Sequence, residues 1–235
     1  MTLSHGTFPR AQDHFSSGLC GVVFDCDGVM IDSTAANREF YNRILAHFGM
    51  PPMTEPQATY CCMATSRQAL EYLLPEALHP QISNLGRTVV NYDRDILPLV
   101  KIFPGFLDFV SFLQEYSIRM AVLTNRTDAG MRSVLDLFGL RPYFNPVVTA
   151  SCGHPKPEPG GARIILDRWR CEPSQVLYIG DSEVDLRTAR AAGLVFASMR
   201  GAVRGGDLSI PDYPRLRELI APLVVSRKGP EIPCS

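Results

Sequence analysis

The 235-residue sequence has no excess of charge of either sign: 23 Lys plus Arg stand against 24 Asp plus Glu, for a formal net charge of −1. That balance argues against a broad electrostatic surface for nucleic acid or membrane, so an anionic ligand must be held by a few local groups. The polar stretch 1–18 lacks an apolar run able to act as a signal peptide or membrane span, and a flexible leader is expected there. The seven cysteines, Cys20, Cys26, Cys61, Cys62, Cys152, Cys171 and Cys234, lack both CxxC spacing and a neighbouring His pattern. They read as free thiols in a reducing, cytoplasmic setting. Internal repeats and low-complexity segments are missing too, while the 46% hydrophobic content suffices for a real core.

Against that plain background one segment stands out. Gly21-Val22-Val23-Phe24 is an apolar run that ends in Asp25-Cys26-Asp27-Gly28-Val29. On a strand, residues two apart point the same way, so Asp25 and Asp27 leave the strand end on one side. Two carboxylates that close repel unless a cation sits between them or one takes a proton. The pair therefore reads as a metal site or a nucleophile with an acid/base partner, against the alternative of two exposed turn residues before Gly28.

Four further apolar runs read as buried strands: 119–123, 146–148, 176–179 and 194–197. Helical stripes flank them, such as Met131, Val134, Leu135 and Phe138 before Gly139, and Leu216, Leu219, Ile220 and Leu223 near the end. Alternating strands and helices imply an α/β fold with a parallel sheet covered on both faces, whose ligands bind beyond the C-terminal strand ends. Between the first two strands, residues 33–102 carry only helical patterns. Phe40, Tyr41, Ile44, Leu45 and Phe48 form one stripe, Leu70, Leu73 and Leu74 a second, and Leu85, Val89, Tyr92 and Ile96 a third that stops at Pro98. An inserted helical subdomain leaving the sheet right after the paired carboxylates is placed to cover them as a lid.

Three more loops bring chemistry to the same edge. In Thr124-Asn125-Arg126 a hydroxyl and backbone N–H groups at a strand-to-helix turn suit phosphate oxygens, with Arg126 in reach of substrate; the alternative is simple capping by Thr127 or Asp128 and a solvated Arg126. Lys156, stiffened by Pro155, Pro157 and Pro159, offers a fixed positive charge for a transferring phosphoryl group, or is an exposed loop lysine. Asp181 and Asp185, four apart at a helix start, share one face and suit Mg²⁺, or else Asp181 is an N-cap with acidic first-turn neighbours. Separately each signal is weak; their joint order along one sheet edge carries the argument.

At these residues the chain resembles the haloacid dehalogenase superfamily of aspartate-nucleophile phosphohydrolases, over about Leu19 to Leu223. Asp25 and Asp27 match its first motif, Thr124 its second, Lys156 its third, and Asp181 with Asp185 its acidic fourth. The resemblance implies a Rossmann-like core of residues 19–32 and 103–225, a helical cap of residues 33–102, and a flexible tail at 226–235. It also implies Mg²⁺ held by Asp25, the backbone carbonyl of Asp27, and Asp181, with Asp185 in support. Lys156-Pro157-Glu158-Pro159 and the position of the insertion look most like the phosphoglycolate phosphatase and β-phosphoglucomutase branch. Asp27 argues against a dehalogenase, and the absence of Lys from residues 33–100 argues against a phosphonate-cleaving relative. Cys26 is a departure in detail.

The expected activity is Mg²⁺-dependent hydrolysis of a small phosphorylated metabolite, phosphoglycolate- or sugar-phosphate-like, through an aspartyl-phosphate on Asp25. Asp27 is the expected proton shuttle, Thr124, Asn125 and Lys156 the phosphoryl ligands, and Arg126 and Arg67 further substrate contacts. The bland reading of Arg67 is a solvated residue after a cap at Thr65 or Ser66. Two alternatives stay open: a phosphosugar mutase with the same central residues, and a non-catalytic phospho-accepting signalling domain, which Asp27 and the long insertion count against. Oligomeric state is left open.

Overall fold

The structure, a computed structural model, describes residues 11–225. Leader residues 1–10, the expected tail at 226–235 and Cys234 lie outside the described residues. The five expected strands form as β1 (Gly21–Phe24), β4 (Arg119–Leu123), β5 (Val147–Val148), β6 (Val176–Gly180) and β7 (Val195–Met199). Two very short strands, β2 (Ile31–Asp32) and β3 (Lys101–Ile102), pair antiparallel where the insertion leaves and returns. A sixth strand of the main sheet, β8 (Leu208–Ile210), was not anticipated; three residues are too few for a periodic signal.

The main sheet has the order β5-β4-β1-β6-β7-β8 and every pairing in it is parallel. Its strands read as unbroken apolar runs because helices cover both faces. Along β1 the pleat sends Val22 and Phe24 into one core and Val23 into the other. The first core is closed by α6 (Phe106–Glu115), α7 (Asp128–Leu137) and α10 (Tyr213–Val225), the second by α8 (Gly160–Trp169) and α9 (Glu183–Ala192). Phe24 is fully buried and meets Phe106, Phe109 and Phe144 edge-on, with ring centroids 5.7, 6.1 and 5.7 Å away. Such contacts hold the strand that delivers Asp25 in one rotamer and one register.

The insertion holds α2 (Thr34–His47), α3 (Glu55–Met63), α4 (Ser66–Leu73) and α5 (Ile82–Thr88). Helix α3 was not legible as an apolar stripe, since Cys61 is its one buried residue; the capping box of Thr54 and Gln57 sets its start instead. The third expected stripe is corrected: α5 stops at Thr88, and a separate π-helical turn runs Tyr92–Ile96. The Asn91 side chain starts that turn by accepting from Arg94 N at 3.0 Å. Such local side-chain bonds compete with continued helix.

Two further expectations change. Within the expected leader, Ala11–His14 forms a short helix, α1, and Phe15 is buried in the core, because its ring supplies apolar area that a polar average conceals. The expectation of free thiols throughout is corrected at Cys20 and Cys171, which form a disulfide with Cα atoms 6.4 Å apart. The start of β1 and the end of α8 meet at one sheet edge, which brings together two cysteines 151 residues apart in sequence. Cys26, Cys61, Cys62 and Cys152 are free. Among the described residues no helix is long and apolar enough to cross a membrane.

Candidate active site

In register, Phe24 of β1 lies beside Val122 of β4 and Ile179 of β6, so the next residues of all three strands reach one sheet edge together. Chain order reverses at this point: β4 and β5 extend the sheet on one side of β1, and β6, β7 and β8 on the other. That switch leaves a crevice above β1, where ligands of open α/β sheets bind. A cleft of about 1010 Å³ lies there between sheet edge and insertion, and Asp25, Asp27, Thr124, Asn125, Arg126, Lys156, Asp181 and Arg67 all border it.

Asp25 is buried and its Oδ1 lies 2.7 Å from Lys156 Nζ. Lys156 Nζ also reaches Asp185 Oδ1 at 2.6 Å. The exposed-loop reading of the lysine therefore fails: Lys156 is buried between two carboxylates. Its backbone is fixed by Asn125, whose Oδ1 accepts from Lys156 N at 2.8 Å and whose Nδ2 donates to Lys156 O at 3.1 Å. Asn125 thus holds the lysine loop, and its Nδ2 also donates to Met63 O of α3 at 3.3 Å.

The helix-cap alternative for Asp181 also fails. Ser182 is the N-cap of α9, with Asp185 as its capping-box partner, so the Asp181 carboxylate is left for the cleft. Asp185 is fully buried, taking Ser182 Oγ at 2.6 Å and Ser182 N at 3.1 Å on Oδ2, and Tyr178 OH at 2.7 Å on Oδ1. Gly28 is required beside Asp181: its φ is +74°, and a Cβ there would fall 1.7 Å from Asp181 Oδ2.

Asp25, Asp181 and Asp185 each place one carboxylate oxygen within 4.8 Å of the others. Burial first, and then the Asp185 carboxylate, push Asp25 well above the ordinary carboxylate range against the pull of Lys156. The same two causes push Asp181 up to about 7. Burial opposes the charge on Asp185, yet Lys156 and the Ser182 and Tyr178 hydrogen bonds outweigh it and its pKa falls. Burial likewise opposes the Lys156 ammonium, and Asp185 and Asp25 together overcome it. Three hard oxygen donors this crowded fit a divalent cation such as Mg²⁺, whose charge would relieve the repulsion.

Asp27 sits 20% exposed at the cleft floor, gripped by Arg126 through Nε to Oδ2 at 2.7 Å and a second guanidinium nitrogen to Oδ1 at 2.6 Å. Ser33 Oγ donates to the same Oδ1. Burial would raise the Asp27 pKa; the Arg126 guanidinium overrides it and holds the carboxyl below its usual range. Thr124 is buried, and its Oγ1 accepts from Arg126 N at 3.2 Å, while Thr127 caps α7. Arg67 lies apart from this group: its side chain is 72% exposed and pairs with Glu71 at 2.8 Å, after a capping box formed by Thr65 and Gln68.

Sequence reasoning missed Ser33, Tyr178 and Ser182. The spacing of Ser182 and Asp185 is a capping-box signal that could have been read; Ser33 and Tyr178 carry no such mark.

A family model described as haloacid dehalogenase-like hydrolase matches residues 22–199. The chain belongs to that family. It is 33% identical over 184 residues to a phosphoglycolate phosphatase of Cereibacter sphaeroides, covering 75% of this chain and 83% of the relative. A phosphoglycolate phosphatase of Pseudomonas aeruginosa is 26% identical over 203 residues, covering 83% of this chain and 74% of the relative. Among solved structures, a subfamily IA haloacid dehalogenase hydrolase from Geobacter sulfurreducens superposes with a TM-score of 0.72 at 30% identity, over 86% of this chain and 99% of that one. CbbY from Rhodobacter sphaeroides, solved with phosphate, shares the fold at a TM-score of 0.71 and 19% identity, over 84% of this chain and 96% of that one. With these relatives the protein is a phosphatase of the haloacid dehalogenase-like hydrolases, and the signalling-domain alternative falls away.

Proposed function

We propose that the protein hydrolyses a small phosphomonoester of the phosphoglycolate or sugar-phosphate kind through an aspartyl-phosphate on Asp25. The observation that carries this reading is the convergence of Asp25, Lys156, Asp181 and Asp185 at the end of β1. An oxygen of the Asp25 carboxylate attacks phosphorus as the bond to the leaving oxygen breaks, and the anhydride so formed is later cleaved by water. Lys156 neutralises charge on the transferring group and keeps Asp25 aimed. Thr124 and Asn125 border the cleft, and the Thr124 hydroxyl and the Asn125 backbone would hold the phosphoryl oxygens. Asp27 is the proton shuttle of this reading: ionised beside Arg126 in the free site, it must take up a proton before it can give one to the leaving oxygen, and it then takes one from the attacking water. Mg²⁺, held by Asp25, the Asp27 carbonyl and Asp181 with Asp185 in support, would supply Lewis-acid neutralisation of the phosphoryl oxygens. Arg67 borders the insertion side of the cleft and, released from Glu71, would meet a second anionic group of the substrate.

The test is a panel of phosphate esters assayed with and without Mg²⁺, using wild type and Asp25→Asn. Turnover in Mg²⁺ that is abolished in a folded Asp25→Asn protein is expected; retained turnover refutes the assignment. Including a sugar 1-phosphate separates hydrolysis, which releases phosphate, from mutase action, which yields the isomer.

A further inference from the structure

Arg126 uses its whole guanidinium. Two nitrogens take the two oxygens of Asp27, and the third donates to Tyr92 OH at 2.6 Å. Tyr92 belongs to the insertion, at the head of the π-helical turn Tyr92–Ile96, so one side chain ties a core carboxylate to the element above it. The contact is desolvated: the Arg126 side chain is 10% exposed. A second bond stands beside it, Ser133 Oγ of α7 donating to Asp93 Oδ1 at 2.7 Å, one residue after Tyr92. Phe40 of α2 packs edge-on against the Tyr92 ring, with centroids 6.3 Å apart, which links the turn to the first insertion helix.

A solvated arginine would need none of this, and an arginine reserved for substrate would not be spent on both oxygens of one carboxylate. A planar fork fixes a carboxylate in position and in plane, which an ammonium cannot do. We infer that Arg126 is a positioning residue: it sets the Asp27 carboxylate at the cleft floor, and its bond to Tyr92 makes that setting depend on the insertion being seated on the core. Asp27 is then held most firmly under a docked lid, and lifting of the Tyr92 turn loosens the Arg126 side of its grip while the Ser33 bond remains. The inference rests on the role of Asp27 proposed above.

The experiment compares wild type, Tyr92→Phe, Arg126→Gln, Arg126→Lys and the Tyr92→Phe/Arg126→Gln double variant, with p-nitrophenyl phosphate in Mg²⁺. Arg126→Gln is expected to lose about 100-fold in kcat with KM within about 3-fold, and Tyr92→Phe about 5-fold in kcat alone. The double variant is expected to match Arg126→Gln, since residues acting through one another do not add. Arg126→Lys recovers at most about a tenth of the loss, because it cannot span three acceptors. A rise in KM at constant kcat in Arg126→Gln, or a full Tyr92→Phe effect in the double variant, overturns the inference. Hydrogen–deuterium exchange of peptides covering residues 25–33, without substrate or metal, gives a readout independent of turnover. Faster exchange in both Tyr92→Phe and Arg126→Gln supports the clamp; unchanged exchange overturns it. A wild type without phosphatase activity would refute the proposed hydrolysis, and the exchange result would still decide the clamp.

Discussion

Asp181→Asn separates charge crowding from ordinary packing. Asp181 rises from its ordinary 3.8 to about 7 because it is partly buried beside Asp185. A group raised on folding favours the folded state while protonated: that contribution is fully present below pH 3.8 and is lost as pH climbs through about 7. A rise of about three at about 1.4 kcal/mol each gives an upper bound of about 4 kcal/mol. Asp181 faces the cleft, and solvent screening brings this to about 1–2 kcal/mol. Asparagine cannot ionise, so the metal-free variant keeps what wild type loses. For a chain of this size that is a melting temperature about 3–6 °C above wild type at pH 8, shrinking to zero at pH 3.5. Magnesium reverses the order. At a hundred times its dissociation constant it adds about 2.7 kcal/mol to wild type at pH 8 and far less to Asp181→Asn. Thermal melts with EDTA or Mg²⁺ across pH 3.5–8.5 read both effects. A variant less stable than wild type at pH 8 in EDTA, or an undiminished magnesium shift in the variant, would refute the reasoning.

Lys156→Ala strands Asp25 and Asp185 as facing buried carboxylates, so metal-free protein should lose about 3–5 kcal/mol in a denaturant titration, partly restored by Mg²⁺. A loss under about 1 kcal/mol would mean the lysine is not buried between them. The Cys20–Cys171 disulfide closes a long loop, so reduction should cost about 2–4 kcal/mol, and a non-reduced digest should show the linked peptides by mass spectrometry. Finding both thiols fully alkylated in protein purified without reductant would overturn the pairing.

The sheet and its active edge were readable in the chain because burial on both faces leaves unbroken apolar runs, and their ends are where polar residues must begin. Asp25, Asp27, Thr124, Lys156 and Asp181 follow β1, β4, β5 and β6, and a strand end is a local signal. The insertion was less legible. Helix α3 buries little, and the stripe from Leu85 to Ile96 crosses a break that apolar spacing does not register. Arg67 borders the cleft from the first turn of α4 and also pairs with Glu71 one helical turn on, a partnership that its charge alone does not reveal.

What the sequence determined by itself was the order of the parts: which residues carry charge, which runs are buried, and which strand ends they follow, all set by chemistry within a few residues. Partnership was decided only by tertiary structure. That Lys156 lies between Asp25 and Asp185, that Ser182 rather than Asp181 caps α9, and that Arg126 spans from Asp27 to Tyr92 depends on segments far apart in the chain. The physical reason is that burial strengthens each of these interactions and also fixes who is near enough to make it, and burial exists only once the sheet has closed under its helices.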